Sequence, residues 1–264
     1  MEFFRDVLNI VVKYYPNLLR GVGYTMLIAL TGTLAGLVIG LATGVIRTTP
    51  LSKNGVVRVL QKILNAVIAV YVEIFRGTPM MVQAMVIYWG YAFASGGKTL
   101  PLIPSGIIIV SINTGAYMAE IIRGGIFSVD KGQFEAAHAI GMTHWQTMTT
   151  VVLPQAIRNI LPSVGNELIV NIKDSSVLNV ISVSELFFQA KSAAGAYYRY
   201  FEVYFIIAVI YLILTPTVSR VLRFIEQKMD GPDNYVIHGS QSDSRAEIVV
   251  SRENAEEVEK RWNQ

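Results

Sequence analysis

The sequence predicts an all-α integral membrane protein of about five transmembrane helices, and three observations predict it. First, 52% of the 264 residues are hydrophobic and only 16% are charged, against about 25% charged in soluble domains. Second, uncharged runs reach spanning length. Third, lysine and arginine gather between those runs. The bias of Lys and Arg toward the cytoplasm then orients the chain with its N-terminus outside and its C-terminus inside.

Residues 1–20 have apolar side chains at Phe3, Phe4, Val7, Leu8, Val11 and Tyr15, on helical spacing, while Arg5, Asp6 and Lys13 interrupt any signal-like apolar core. No removable signal peptide is expected. Two readings stand: an amphipathic helix lying on the bilayer, which is the expectation carried forward, or an extension packed on the protein. The first span covers about residues 21–46 without a charge. At about 1.5 Å per residue it exceeds the roughly 30 Å hydrocarbon core. Gly32, Gly36, Gly40 and Gly44 form a stripe along it, which lets another helix approach closely. The loop after it carries Arg47, Lys53, Arg58 and Lys62 without an acid, and so belongs inside.

The second span, about 63–93, is interrupted by Arg76, Gly77, Thr78 and Pro79. Pro79 frees a backbone carbonyl one turn earlier. Arg76 in a membrane segment needs a partner, and Glu73 or Glu120 can supply it. These residues brace the pathway or only kink the helix. Gly96, Gly97, Lys98 and Thr99 form an outer turn, since the glycine spacing of a phosphate loop is absent. The third span covers about 102–125. Residues 157–184 make a fourth crossing, where Pro162, Gly165, Glu167, Lys173 and Asp174 predict a broken helix shielded from lipid. The fifth covers about 201–222. These spans make up a transmembrane domain over residues 21–228. Residues 229–264 are polar and charge-rich, a cytoplasmic tail ending in a short exposed helix near 252–262.

Between the third and fourth spans lies "EAAHAIGMTHWQTMTTVVLP", residues 135–154. Ser128 or Asp130 can cap a helix there, and Gly141 can end it. Thr143 and Gln146 fit a capping box for a second short helix that stops before Leu153 and Pro154. The product is a helical elbow whose slender alanine face suits either a groove on another protein or a plain surface loop. Its side of the membrane depends on whether residues 63–93 cross once or twice.

Several chemistries are excluded. There is no cysteine, hence no thiolate nucleophile or thiolate metal site. His138, His144 and His238 lack metal-ligand spacing with carboxylates, and no nucleophile elbow is present. The net charge of +3 is not concentrated as nucleic-acid binding requires. No catalytic residue and no metal site is expected.

Residues 135–154 resemble the EAA motif of ABC-importer permeases: Glu135-Ala136-Ala137, three residues, Gly141, nine residues, then Val151-Val152-Leu153-Pro154. Val151 replaces the usual isoleucine. "EIFRGTPMMVQ" at 73–83 resembles the Arg-Gly-Thr-Pro signature of the polar-amino-acid uptake branch, including Gln83. "AYMAEIIRGGIFSVDKGQFEAA" at 116–137 and "LPQAIRNILPSVGNELIVNIKDSSVLNVISVSEL" at 153–186 resemble the segments flanking the motif, with Ser175 in place of a threonine. The resemblance covers roughly residues 15–225. It implies that residues 131–153 form a cytoplasmic coupling helix that docks on an ABC ATPase through Glu135, Ala136, Ala137 and Gly141, which fixes one crossing for residues 63–93. It also implies a second permease subunit, identical or related, and an extracellular solute-binding protein. Its substrate would be a polar or charged amino acid. ATP and Mg would sit on the ATPase, and no cofactor on this chain. The rivals are an ion-coupled secondary amino-acid transporter and a non-transporting membrane scaffold.

Asn166 and Lys173 share one helical face of the fourth crossing, and Glu167, Asn171 and Asp174 the adjacent one. An amino acid needs both signs of charge or their hydrogen-bonding equivalents. Asn166, Glu167, Lys173 and Ser176, with Gln83, are therefore expected on the substrate route, unless Lys173 and an acid only form an internal ion pair.

Overall fold

A computed structural model describes residues 2–230, without the side chains of Met229 and Asp230. The expected tail and its terminal helix, from residue 231 on, lie outside the described residues. Residues 2–222 form one compact unit. The described residues form helices and turns, with no strand among them. Four helices are long and apolar enough to cross a membrane.

Helix α1 (Glu2–Thr48) is continuous over 47 residues. Residues 1–20 were expected as a separate element, but the structure joins them to the first span. Gly21 stands at the expected junction but stays helical, pressed against Leu186, and Pro16 lies inside the helix. The N-terminal stretch has three sectors. Ile10 and Leu18 pack against α8 (Leu186–Tyr197) and α9 (Tyr200–Asp230). Phe4, Leu8, Val12, Tyr15 and Leu19 form an exposed apolar stripe, and Arg5, Lys13 and Arg20 flank it.

The glycine stripe of α1 meets α4 (Leu102–Phe127). A β-carbon on Gly36 would fall 2.8 Å from the Thr114 side chain, and one on Gly40 would collide with Met118. Gly32 faces Val110 and Gly44 faces Ile122. The register holds down the whole pair, so α1 and α4 run parallel in close contact. Dispersion gained at this approach holds helices together in lipid.

Helices α2 (Gly55–Gly77) and α3 (Met80–Ala94) meet at Thr78 and Pro79. Ile68 and Val72 pack on Ala119, Gln83 reaches Asn113, and Tyr88 packs in a cluster with Ile109. Together α2 and α3 climb α4 antiparallel to it, as one kinked rod. The expected turn is present, with Gly96 and Gly97 at φ +70° and +94°.

Helix α5 (Lys131–Ala139) and the single turn α6 (His144–Gln146) form the elbow. Its second helix was expected to stop before Leu153-Pro154. Instead the chain passes through a π-helical turn, Thr147–Val152, directly into α7 (Leu153–Asp174). The wider turn accommodates a proline that has no N–H and would crowd the preceding carbonyls. A broken helix was expected over residues 157–184, and α7 runs past Pro162 without interruption. Pro162 is on the exposed side, so the carbonyl it frees is not sealed in the core. The chain breaks at the charged end, where Ser175–Ile181 is 3-10 helix and Ser182 takes φ +66°. There Ser175 donates to the Ile172 carbonyl and Asn179 to that of Ser176. Such local side-chain bonds compete with regular helix.

Candidate functional site

The elbow is defined by its caps. Asp130 accepts from the Gly132 N–H at 2.6 Å. At the other end Gly141 has φ +82°. Its N–H donates to the His138 carbonyl, and the Met142 N–H to that of Ala137, both at 3.0 Å. This double closure is a Schellman motif, which needs a left-handed residue at that place. Thr143 and Gln146 form the expected capping box. A cluster of Ile126, Val129, Met148, Val152, Ala156 and Ile160 ties the elbow to the ends of α4 and α7. Glu135, Ala136 and Gly141 are exposed, and Ala137 is buried. Ile140, 79% exposed, and Trp145, 60% exposed, add two apolar side chains to the same elbow. The sequence reading passed over both. Their signal was two bulky apolar residues on a short polar projection, a place where burial in the chain's own core is unavailable. Burial, with the charge of His138 adding to it, holds the His144 imidazole below its ordinary pKa.

The Arg-Gly-Thr-Pro break has a direct explanation. Pro79 cannot donate to the Phe75 carbonyl four residues back. Gln83 Nε2 supplies the missing donor at 3.0 Å, and Asn113 Nδ2 adds another at 3.3 Å. Gln83 Nε2 also reaches the Thr78 carbonyl and Thr78 Oγ1, both at 2.9 Å, while its Oε1 accepts from Asn113 at 2.8 Å. Gln83 was expected on the substrate route. The structure uses its polar atoms to close this break, where it is 5% exposed. Asn113 was not foreseen, since only packing brings it to residue 75.

Arg76 was expected to pair with Glu73 or Glu120. Glu120 is instead bound by Arg47 and by Arg123, at 2.7 Å for the latter. Arg123 is one turn away on the same helix and reaches it first. Arg76 lies over the Tyr117 ring, 5.7 Å from its centre, with Gly77 beside it.

Packing buries Glu167 and Asn171 of α7 and leaves Asp174 on the same face exposed. Asn166 and Lys173 are exposed, and Ser176 beyond the helix is half-buried. On the adjacent face Asn171 donates to Thr33 Oγ1 at 2.8 Å and accepts from Thr114 at 3.1 Å, knotting α1, α4 and α7 together. Glu167 is buried one turn away, 6% exposed. Neither Glu167 nor Lys173 has an ion-pair partner within 4 Å among the described residues.

Long apolar helices, intramembrane polar ties and a capped elbow define a multi-pass α-helical membrane protein. Residues 55–231 match the model of the binding-protein-dependent transport system inner membrane component, and the chain belongs to that family of transport permeases. It is 39% identical over 214 residues to the glutamine transport system permease protein GlnP of Escherichia coli K12, covering 81% of this chain and 93% of that one. It is 35% identical over 220 residues to the probable amino-acid ABC transporter permease protein YckA of Bacillus subtilis 168, covering 83% and 92%. A crystal structure of an amino acid ABC transporter with histidines superposes with TM-score 0.71 at 38% identity, covering 83% of this chain and 96% of that one. The MetNI methionine ABC transporter shares the fold, with TM-score 0.64 at 21% identity.

Proposed function

We propose that this chain is the permease subunit of an ABC importer for a polar or charged amino acid. A separate ATPase powers it, and ATP and Mg belong to that partner. A second permease subunit completes the pathway, and an extracellular solute-binding protein delivers substrate. Five crossings are assigned to α1, the α2–α3 rod, α4, α7 with its 3-10 extension, and α9. The N-terminus is outside, and the elbow and C-terminus are inside. The observation that carries the reading is the elbow, a short helix closed at both ends and presenting Glu135, Ala136, Ile140 and Trp145 away from the bundle. A slender helix of this kind suits a groove on a partner. Buried Ala137 and left-handed Gly141 hold its shape. The amino-acid class rests on the named relatives.

The exposed face of Asn166 and Lys173, with Ser176 and the unpaired Glu167, lines the route. An unpaired ionisable residue at membrane depth is costly unless something polar meets it. The test is reconstitution of the chain with a cognate ATPase and binding protein, and a screen of single amino acids for ATPase stimulation. Stimulation by a polar amino acid, lost on Gly141→Asp while membrane insertion persists, supports the reading. Equal stimulation in the Gly141→Asp assembly removes the elbow from coupling.

A further inference from the structure

Helix α2 carries one polar edge. Arg58, Lys62, Asn65, Glu73 and Arg76 fall in a single stripe along it. The opposite face, with Val59, Ile63, Val67, Val70 and Ile74, is exposed and apolar. The Asn65 Oδ1 atom is buried without a hydrogen-bond partner among the described residues. Farther along the stripe a cavity of about 460 Å³ opens between α1, α2 and α4. Arg47, Ala69, Glu73, Arg76, Tyr117 and Glu120 are in its wall. Ala69 and Gly77 supply the room, since larger side chains there would fill it.

The four charges in this wall are not equivalent. The Glu120 carboxylate is committed to Arg47 and Arg123. Glu73 and Arg76 make no ion pair with each other or with any described residue. Tyr117 lies under the Arg76 guanidinium and orients it. One cation and one anion, a helical turn apart and both exposed, thus face a hole at the end of the bundle that carries Arg47. The arrangement is complementary to a solute bearing both charges.

We propose that this cavity is a binding site for an α-amino acid in its zwitterionic form, with Arg76 holding the carboxylate and Glu73 the ammonium. It lies on the elbow side of the Pro79 break, and no residue of α7 lines it. It is a second station on the route, beyond the α7 face. The choice of ligand rests on the amino-acid reading under Proposed function.

The chain contains no cysteine, so Ala69→Cys places a single thiol of this subunit in the cavity wall. The assembly of permease and ATPase, in proteoliposomes, is labelled with a small charged thiol reagent, and labelling is read on this subunit alone. Glutamine, glutamate, arginine and histidine are each added in turn. At least one should slow labelling fivefold or more. Adding Glu73→Gln or Arg76→Gln should raise the concentration needed at least tenfold. No protection by any of the four, an unreactive thiol, protection indifferent to both charge variants, or equal protection of a Ser95→Cys thiol in the outer turn would overturn the site. Uptake by the assembly without protection at Ala69→Cys would leave the transport reading standing. Protection without uptake would retain the site and overturn that reading.

Discussion

Gln83→Leu tests the account of the proline break. The substitution removes donors to the Phe75 carbonyl, the Thr78 carbonyl and Thr78 Oγ1, together with the acceptor of Asn113. Asn113 keeps a longer bond to Phe75 at 3.3 Å, so the Thr78 carbonyl is the group left without this partner. Thr78 is exposed, so the loss is that of the bonds themselves, about 0.5–1.5 kcal/mol net, and membrane hydrogen bonds average about 0.6 kcal/mol. Leucine is close to glutamine in size, so cavity formation adds little. The expected loss is therefore about 0.5–1.5 kcal/mol, measured by reversible unfolding in mixed micelles. The sharper expectation is a coupling. Pro79→Ala returns an N–H aimed at Phe75, so Gln83→Leu should cost less in that background, by about 0.5 kcal/mol or more. Strict additivity of the two changes, or a Gln83→Leu protein as stable as the parent, would refute the reasoning.

Gly141→Ala meets no neighbour, because space around that position is open, and the left-handed backbone alone should cost about 1–2 kcal/mol. Hydrogen exchange at the Met142 amide, which closes the elbow, should then speed roughly 5- to 30-fold. Gly40→Leu drives a side chain into Met118 and the α4 backbone, and overpacking of about 1–3 kcal/mol or more should lower the yield of monodisperse protein. For His144 the folded-state pKa is depressed, by burial first and by His138 second. Its contribution to elbow stability is full above the unfolded value of about 6.5 and is lost as pH falls below it through the folded value. Exchange protection in the elbow, corrected for intrinsic rates, should decline in that window and decline less in His144→Gln.

The helical class, the α1 glycine stripe and the elbow caps were legible because each depends on residues close in sequence. Gly32 to Gly44 announce a close approach by period alone, and Asp130, Gly141, Thr143 and Gln146 act within a turn or two. The partners were not legible. Nothing local says that Asn113 will complete the Phe75 carbonyl, or that Arg47 will reach Glu120 and leave Arg76 to Tyr117. Proline was also a poor guide to interruption. Pro16, Pro162 and Pro216 sit inside helices, while Pro79 marks a break. What decides is whether the freed carbonyl is sealed, which packing sets. Ser175 and Asn179 end α7 through their own short-range bonds, and the composition of residues 157–184 announced a broken helix without saying where it breaks.

The most direct test of the central claim is uptake of radiolabelled amino acid into proteoliposomes holding this chain with its ATPase and second permease subunit, binding protein outside and ATP inside. The account predicts uptake that needs binding protein, ATPase and ATP together and persists when ion gradients are collapsed by ionophores. Uptake by this chain alone that follows an imposed ion gradient and ignores ATP would contradict it.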